Sequence, residues 1–200
     1  MPASSEPQQP FFHVLQDELR VLFVDDDPIL REFALVHLST DKAEVRAAGD
    51  GDEALALLAD WPTDIVLLDL EMPRLDGFEM LRQLGENEHL RDLPVIVVTG
   101  REDIAAIDRA YAAGATSFVS KPLNWRLLSY QIRYVRRACE AEQTARAAVR
   151  AADGRLADLA GQTSRLLSLA IDAKGDLNRS VVADLKSMLE PLSRRPAEAA

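Results

Sequence analysis

The sequence runs to 200 residues, 48% of them hydrophobic, with a formal net charge of −10. That length holds one well-buried domain of ~100–150 residues plus an appendage, and the acidic balance argues against non-specific adhesion to nucleic acid or an anionic membrane. Cys139 is the single cysteine, which excludes an intrachain disulfide and a cysteine-based metal cluster and fits a reducing, cytoplasmic setting.

Residues 1–17 are rich in Pro, Gln and Ser and read as a flexible leader; they carry no basic segment of the kind that opens a secretory signal. No run approaches the ~18 apolar residues that a membrane span needs. Residues 20–25 read as a buried strand, and the stretch VLFVDDDP carries it straight into Asp25, Asp26 and Asp27. Pro28 suits the first turn of a helix whose apolar face is expected at Ile29, Phe33, Val36 and Leu38. Residues 44–48 form a short second strand, and DEALALLA at 52–59 a helix capped near Gly51. DIVLLDL at 64–70 is the third strand, and a helix over 77–84 is capped by Asp76. LPVIVVTG at 93–100 is the fourth strand; the helix over 104–113 stops at Gly114, a natural left-handed cap. ATSFVSKP at 115–122 supplies the fifth strand and its exit turn.

Five strands alternating with helices predict an α/β fold, with a parallel sheet covered on both faces. Ligands of such sheets bind beyond the carboxyl ends of the strands. The polar groups that interrupt the apolar runs fall at that edge: Asp25 and Asp26 after strand one, Asp69 after strand three, Thr99 after strand four, Lys121 after strand five. Two like charges ~4 Å apart cost about 4 kcal/mol at an effective dielectric of 20, so converging carboxylates call for a cation. A hard divalent ion, Mg²⁺, takes oxygen ligands and keeps open positions for phosphate oxygens. An ionised Asp69 beside it can attack phosphorus and form an acyl phosphate, with Lys121 and Thr99 as donors to the phosphoryl oxygens.

The set VDDDP, LLDLEMPRLDGFEML, VVTG and FVSKP resembles the receiver domain of two-component response regulators, over about residues 19–138. The resemblance implies a flavodoxin-like strand order 2-1-3-4-5. It also implies that Asp69 is the phospho-acceptor and Asp26 a direct Mg²⁺ ligand. Asp25 would help hold the metal through water, and the Glu71 backbone carbonyl would complete the protein ligands. Thr99 would be the switch hydroxyl, Lys121 the phosphate-pairing lysine and Phe118 the aromatic that changes rotamer with it. The peptide before Pro122 is expected to be cis. The implied partner is a histidine kinase or phosphotransfer protein. Taken singly the residues have blander readings: Asp27 as a helix cap, Phe118 as core, Trp61 and Trp125 as packing, and His13, His37 and His89 as surface or structural residues. A rival reading, a phosphatase turning over a phosphoaspartate, wants a general acid, usually Asp, two residues past the nucleophile; Glu71 stands there.

The receiver is expected over 18–138 and a helical extension over 139–200. Residues 122–153 read as one long helix with a seam at Leu128, Ile132, Val135 and Cys139. Residues 140–200 hold nine basic and nine acidic residues and no histidine. The first point forces no DNA-binding face, although DNA binding through these helices stays as an alternative; the second excludes a phosphotransfer role for the segment. A helix lined by Leu156, Leu159, Ala160, Leu166, Leu167 and Ala170, a turn at 174–176, and a helix lined by Val181, Val182, Leu185, Met188, Leu189 and Leu192 form the tail. Two such faces point to a homodimer or to docking of a downstream protein, against a tail packed on its own receiver. Glu71 and Arg101 are expected to pair across the mouth of the site.

Overall fold

The computed structural model describes residue 15, residues 17–100 and 104–170, and residues 183, 184 and 187. Residues 1–14 and 16 of the expected leader, Arg101, and the turn and second helix of the tail apart from positions 183, 184 and 187 fall outside the described residues; Leu15, expected in the leader, is buried in the core, and Asp17 is exposed. The chain divides into two units, Met1–Ala141 and Glu142–Ala200.

In the first unit β1 (Leu19–Val24), β2 (Ala43–Ala48), β3 (Ile65–Leu68), β4 (Val95–Thr99) and β5 (Ser117–Ser120) alternate with α1 (Pro28–Leu38), α2 (Gly51–Asp60), α3 (Gly77–Glu86) and α4 (Ile104–Ala112), and α5 (Trp125–Ala170) follows. The strands make one sheet in the order β2-β1-β3-β4-β5, every pairing parallel. Alternation along each strand splits the core in two. Leu22, Val24, Val66, Leu68, Val95 and Val97 face α2, α3 and α4 through Ala54, Leu58, Met80, Leu81, Leu84 and Ala110. Val21, Phe23, Ile65, Leu67, Ile96 and Val98 face α1 and α5 through Ala34, Leu38, Leu128, Ile132 and Val135. Burying a Val, Leu or Phe side chain contributes ~1.5–3 kcal/mol, so β1, β3 and β4, apolar on both sides, anchor both layers of the core.

Asp27 caps α1 by accepting from the Ile29 amide at 2.8 Å, ahead of Pro28. The cap of α2 is Asp50 rather than Gly51: its Oδ1 accepts from the Glu53 amide at 2.9 Å. Gly51 is needed for space, because a Cβ there would lie 2.5 Å from Leu75. Asp76 caps α3 through the Glu79 amide at 2.8 Å.

Two expectations are corrected. The face of α1 on the sheet is Ala34 and Leu38, flanked by half-buried Leu30 and Leu35, whereas Ile29, Phe33 and Val36 are 63%, 47% and 67% exposed. Both stripes repeat at helical spacing, and the one carrying Ala34 and Leu38 is buried against the strands. The helix expected to end near 153 continues to Ala170 through Gly154 and Gly161. One glycine costs about 1 kcal/mol relative to alanine inside a helix, too little to stop a run of Ala, Arg and Leu that offers no capping turn. In the second unit Val149 and Leu156 on this helix are exposed. No described helix is long and apolar enough to cross a membrane.

Candidate functional site

The parallel ladder carries two carboxylates just past the strand ends. The Asp25 amide donates to Ala48 O at 3.1 Å and the Asp69 amide to Val24 O at 2.8 Å, so both backbones are extensions of the sheet. Asp25 and Asp69 are buried and Asp26 is exposed, and each offers an oxygen within 4.8 Å of the others. Lys121 follows β5, where its amide donates to Thr99 O at 2.9 Å. Its Nζ lies 2.7 Å from Asp69 Oδ2 and 2.8 Å from Asp25 Oδ2. The Lys121–Pro122 peptide is cis.

One oxygen of each buried carboxylate is occupied by the following turn: Asp25 Oδ1 accepts from the Asp27 amide at 3.0 Å, Asp69 Oδ1 from the Glu71 amide at 3.2 Å. Burial pushes the Asp25 carboxyl above its ordinary value, more than the Lys121 and Asp27 hydrogen bonds pull it down. Burial acts on Lys121 in the opposite sense, but its bonds to Asp25 and Asp69 win and hold the ammonium above its usual range. The site therefore keeps a protonated lysine beside an Asp25 carboxyl whose ionised form burial disfavours.

The residues fit a hard dication. The converging donors are all oxygens, and buried Asp25 Oδ2 is met by the Lys121 ammonium at 2.8 Å, the place a cation takes in such a cluster. Asp25, Asp26 and Asp69 come together as expected, and the Glu71 peptide is bound beside Asp69. Thr99 is buried at the end of β4. Phe118 is in β5 opposite Val97; it is 40% exposed and meets Tyr111 edge-on at 6.4 Å, so it is no core residue. Trp61 is buried, its ring under the Arg46 guanidinium. Trp125 packs on the α1 side of the core, where His37 stacks on it at 5.5 Å. His89 is exposed.

Sequence reasoning missed two residues. Gly77 lets α3 press against the end of β3: a Cβ there would lie 2.2 Å from Asp69 O. The only trace was the Asp-Gly pair ahead of a helix. Arg31 reaches back from α1, and its Nη1 donates to Asp25 O at 2.8 Å and to Asp26 O at 2.9 Å. No residue pattern announces a side chain aimed at backbone carbonyls. The loop between β3 and α3 is also tied down, by an ion pair from Arg74 (φ 66°) to buried Asp50 and by the Gly51 amide donating to Leu75 O at 3.3 Å.

A protein-family model described as the response regulator receiver domain matches residues 21–133. The response regulator MprA of Mycobacterium sp. (strain KMS) is 42% identical over 104 residues, 52% of this chain and 44% of that protein. A probable cyclic di-GMP phosphodiesterase of Vibrio cholerae is 34% identical over 60% of this chain and 28% of its own length. The chain thus spans less than half of these relatives. The transcriptional regulatory protein AfsQ1 of Streptomyces coelicolor is 30% identical over 90% of this chain and 73% of that protein. Among solved structures, the chemotaxis response regulator CheY4 of Vibrio cholerae superposes with a TM-score of 0.56 at 29% identity, covering 58% of this chain and 98% of that one.

Proposed function

The chain belongs to the response regulator receiver domain family, and from that premise we propose that it accepts a phosphoryl group on Asp69 and signals through protein–protein contacts. The donor would be a histidine kinase or phosphotransfer protein in the cytoplasm. The observation that supports this most is the placement of Lys121 Nζ, within 2.8 Å of both Asp25 and Asp69 in the three-carboxylate cluster.

In this reading a carboxylate oxygen of Asp69 attacks phosphorus, forming the acyl O–P bond as the P–N bond to the donor imidazole breaks; the leaving imidazole takes its proton from solvent. Asp25, Asp26, Asp69 and the Glu71 carbonyl would hold Mg²⁺, which supplies positive charge to the phosphoryl oxygens. Lys121 turns its ammonium from the carboxylates to the phosphoryl group, and the Thr99 hydroxyl donates to another of its oxygens. Drawing Thr99 inward opens space beneath it for the Phe118 ring, and the exposed Phe118–Tyr111 contact changes as a result. The protein is a stoichiometric acceptor in this account, with no separate substrate to turn over.

The output is assigned to residues beyond 138. Val149 and Leu156 are exposed seven residues apart on α5, a spacing that supports pairing of two copies along the helix, and the homodimer is proposed on that ground. A second reading, control of transcription, is favoured by the similarity to AfsQ1 over 90% of the chain; retention on DNA that falls steeply with salt would support it. The phosphoryl-transfer reading is tested by labelling with a small phosphodonor with and without Mg²⁺, against Asp69→Asn, which must not label.

A further inference from the structure

We infer that Arg31 is a positioning residue for the cation site, holding the turn that presents Asp25 and Asp26. The inference rests on the Mg²⁺ reading above and adds to it a residue that touches neither metal nor phosphate. Arg31 alone engages three consecutive carbonyls of the β1–α1 turn. Its backbone amide donates to Asp27 O at 3.1 Å, and its Nη1 donates to Asp25 O at 2.8 Å and Asp26 O at 2.9 Å. A planar guanidinium nitrogen offers two hydrogens at a fixed angle, so the pair of bonds sets the rotation of both peptides. The Cα–Cβ directions of Asp25 and Asp26 follow from those rotations.

The guanidinium also passes close to the β2–α2 turn. It lies against Gly49, where a Cβ would be 3.4 Å from Nη1 and 3.6 Å from Cζ. The Gly49 amide is fixed in turn by Glu53 Oε2 at 2.7 Å. Arg31 is thus a strut between α1 and the end of β1.

Its two possible effects on a dication have opposite signs, which makes the inference decidable. As a nearby positive charge, Arg31 repels Mg²⁺, and removing it tightens binding. As a strut it keeps two carboxylates within reach of one ion, and removing it weakens binding. Outer groups that orient metal ligands are worth ~10–100-fold in affinity, whereas a charge behind the turn is screened by solvent. Positioning is expected to win.

The test is a Mg²⁺ titration of the full chain followed by the backbone amide resonances of Asp27 and Glu71, for wild type, Arg31→Met and Arg31→Lys, each below its melting temperature. Arg31→Met is expected to bind Mg²⁺ about tenfold more weakly, with the Asp26 and Asp27 amides displaced already in metal-free protein. Arg31→Lys, which keeps the charge but not the planar fork, is expected to weaken binding severalfold and carries the test if Arg31→Met does not fold. A folded variant that binds as tightly as wild type, or more tightly, overturns the inference while leaving the Mg²⁺ site standing. A wild type whose amides do not respond to Mg²⁺ removes the site reading and this inference together.

Discussion

Lys121 Nζ and Asp69 Oδ2 are joined by a 2.7 Å hydrogen bond across 52 residues of sequence, and the same ammonium touches Asp25. Replacing Lys121 with Met leaves buried carboxylates facing each other. With Lys121 gone, the Asp25 carboxyl rises further above its ordinary value. A raised carboxyl destabilises the folded state at neutral pH and ceases to do so as pH falls through its folded value. Lys121→Met should cost about 3 kcal/mol at pH 7, with the loss shrinking as the pH is lowered or on adding Mg²⁺. Thermal melts at falling pH check it.

Gly77→Ala introduces a Cβ 2.2 Å from Asp69 O and 2.8 Å from Leu70 Cα, both backbone atoms that cannot step aside. A loss of about 1–3 kcal/mol is expected from overpacking, together with slower phosphorylation, since the displaced carbonyl belongs to the acceptor. A variant that is stable and labels at the wild-type rate would show that α3 retreats without moving Asp69.

Far from the site, Asp64 accepts from the Arg20 amide at 2.8 Å and from its guanidinium at 3.1 Å. Burial alone would raise the Asp64 carboxyl, but the Arg20 bonds prevail and hold it below its usual value. A depressed carboxylate contributes stability above its unfolded value of about 3.9 and loses it as pH falls through the folded value. The pair is partly exposed, so Asp64→Asn should cost only about 1 kcal/mol at pH 7. Wild type and variant should converge as the pH falls below the folded value of Asp64; a gap of unchanged size down to the acid limit of the melts would contradict the pairing.

The order of elements and the polar edge were legible because β1, β3 and β4 are apolar runs broken by polar residues at their carboxyl ends, and the short β5 leads directly to Lys121. Asp25, Asp69, Thr99 and Lys121 could be placed together from that alone. The orientation of α1 was not legible: the stripe of Ile29, Phe33 and Val36 competes at the same period with Ala34 and Leu38, and only the neighbouring strands decide between them. Arg31 and Gly77 were invisible for a different reason. Both act on backbone atoms, the carbonyls of Asp25, Asp26 and Asp69, whose positions exist only after the chain has folded.

If Val149 and Leu156 pair with those of a second copy, the full chain should sediment as a dimer at tens of micromolar and a chain ending at Ala141 as a monomer. Full-length protein that stays monomeric, with Asp69 phosphorylated or not, would assign the tail to docking another protein or to packing within the chain.

Whether Asp69 is a Mg²⁺-dependent phospho-acceptor is decided by intact-mass analysis after incubation with a small phosphodonor, with and without Mg²⁺, for wild type and Asp69→Asn. Wild type should gain one phosphoryl group only when Mg²⁺ is present, released by hydroxylamine as an acyl phosphate is, and Asp69→Asn none. Stoichiometric labelling of Asp69→Asn, or equal labelling of wild type without Mg²⁺, would contradict that role.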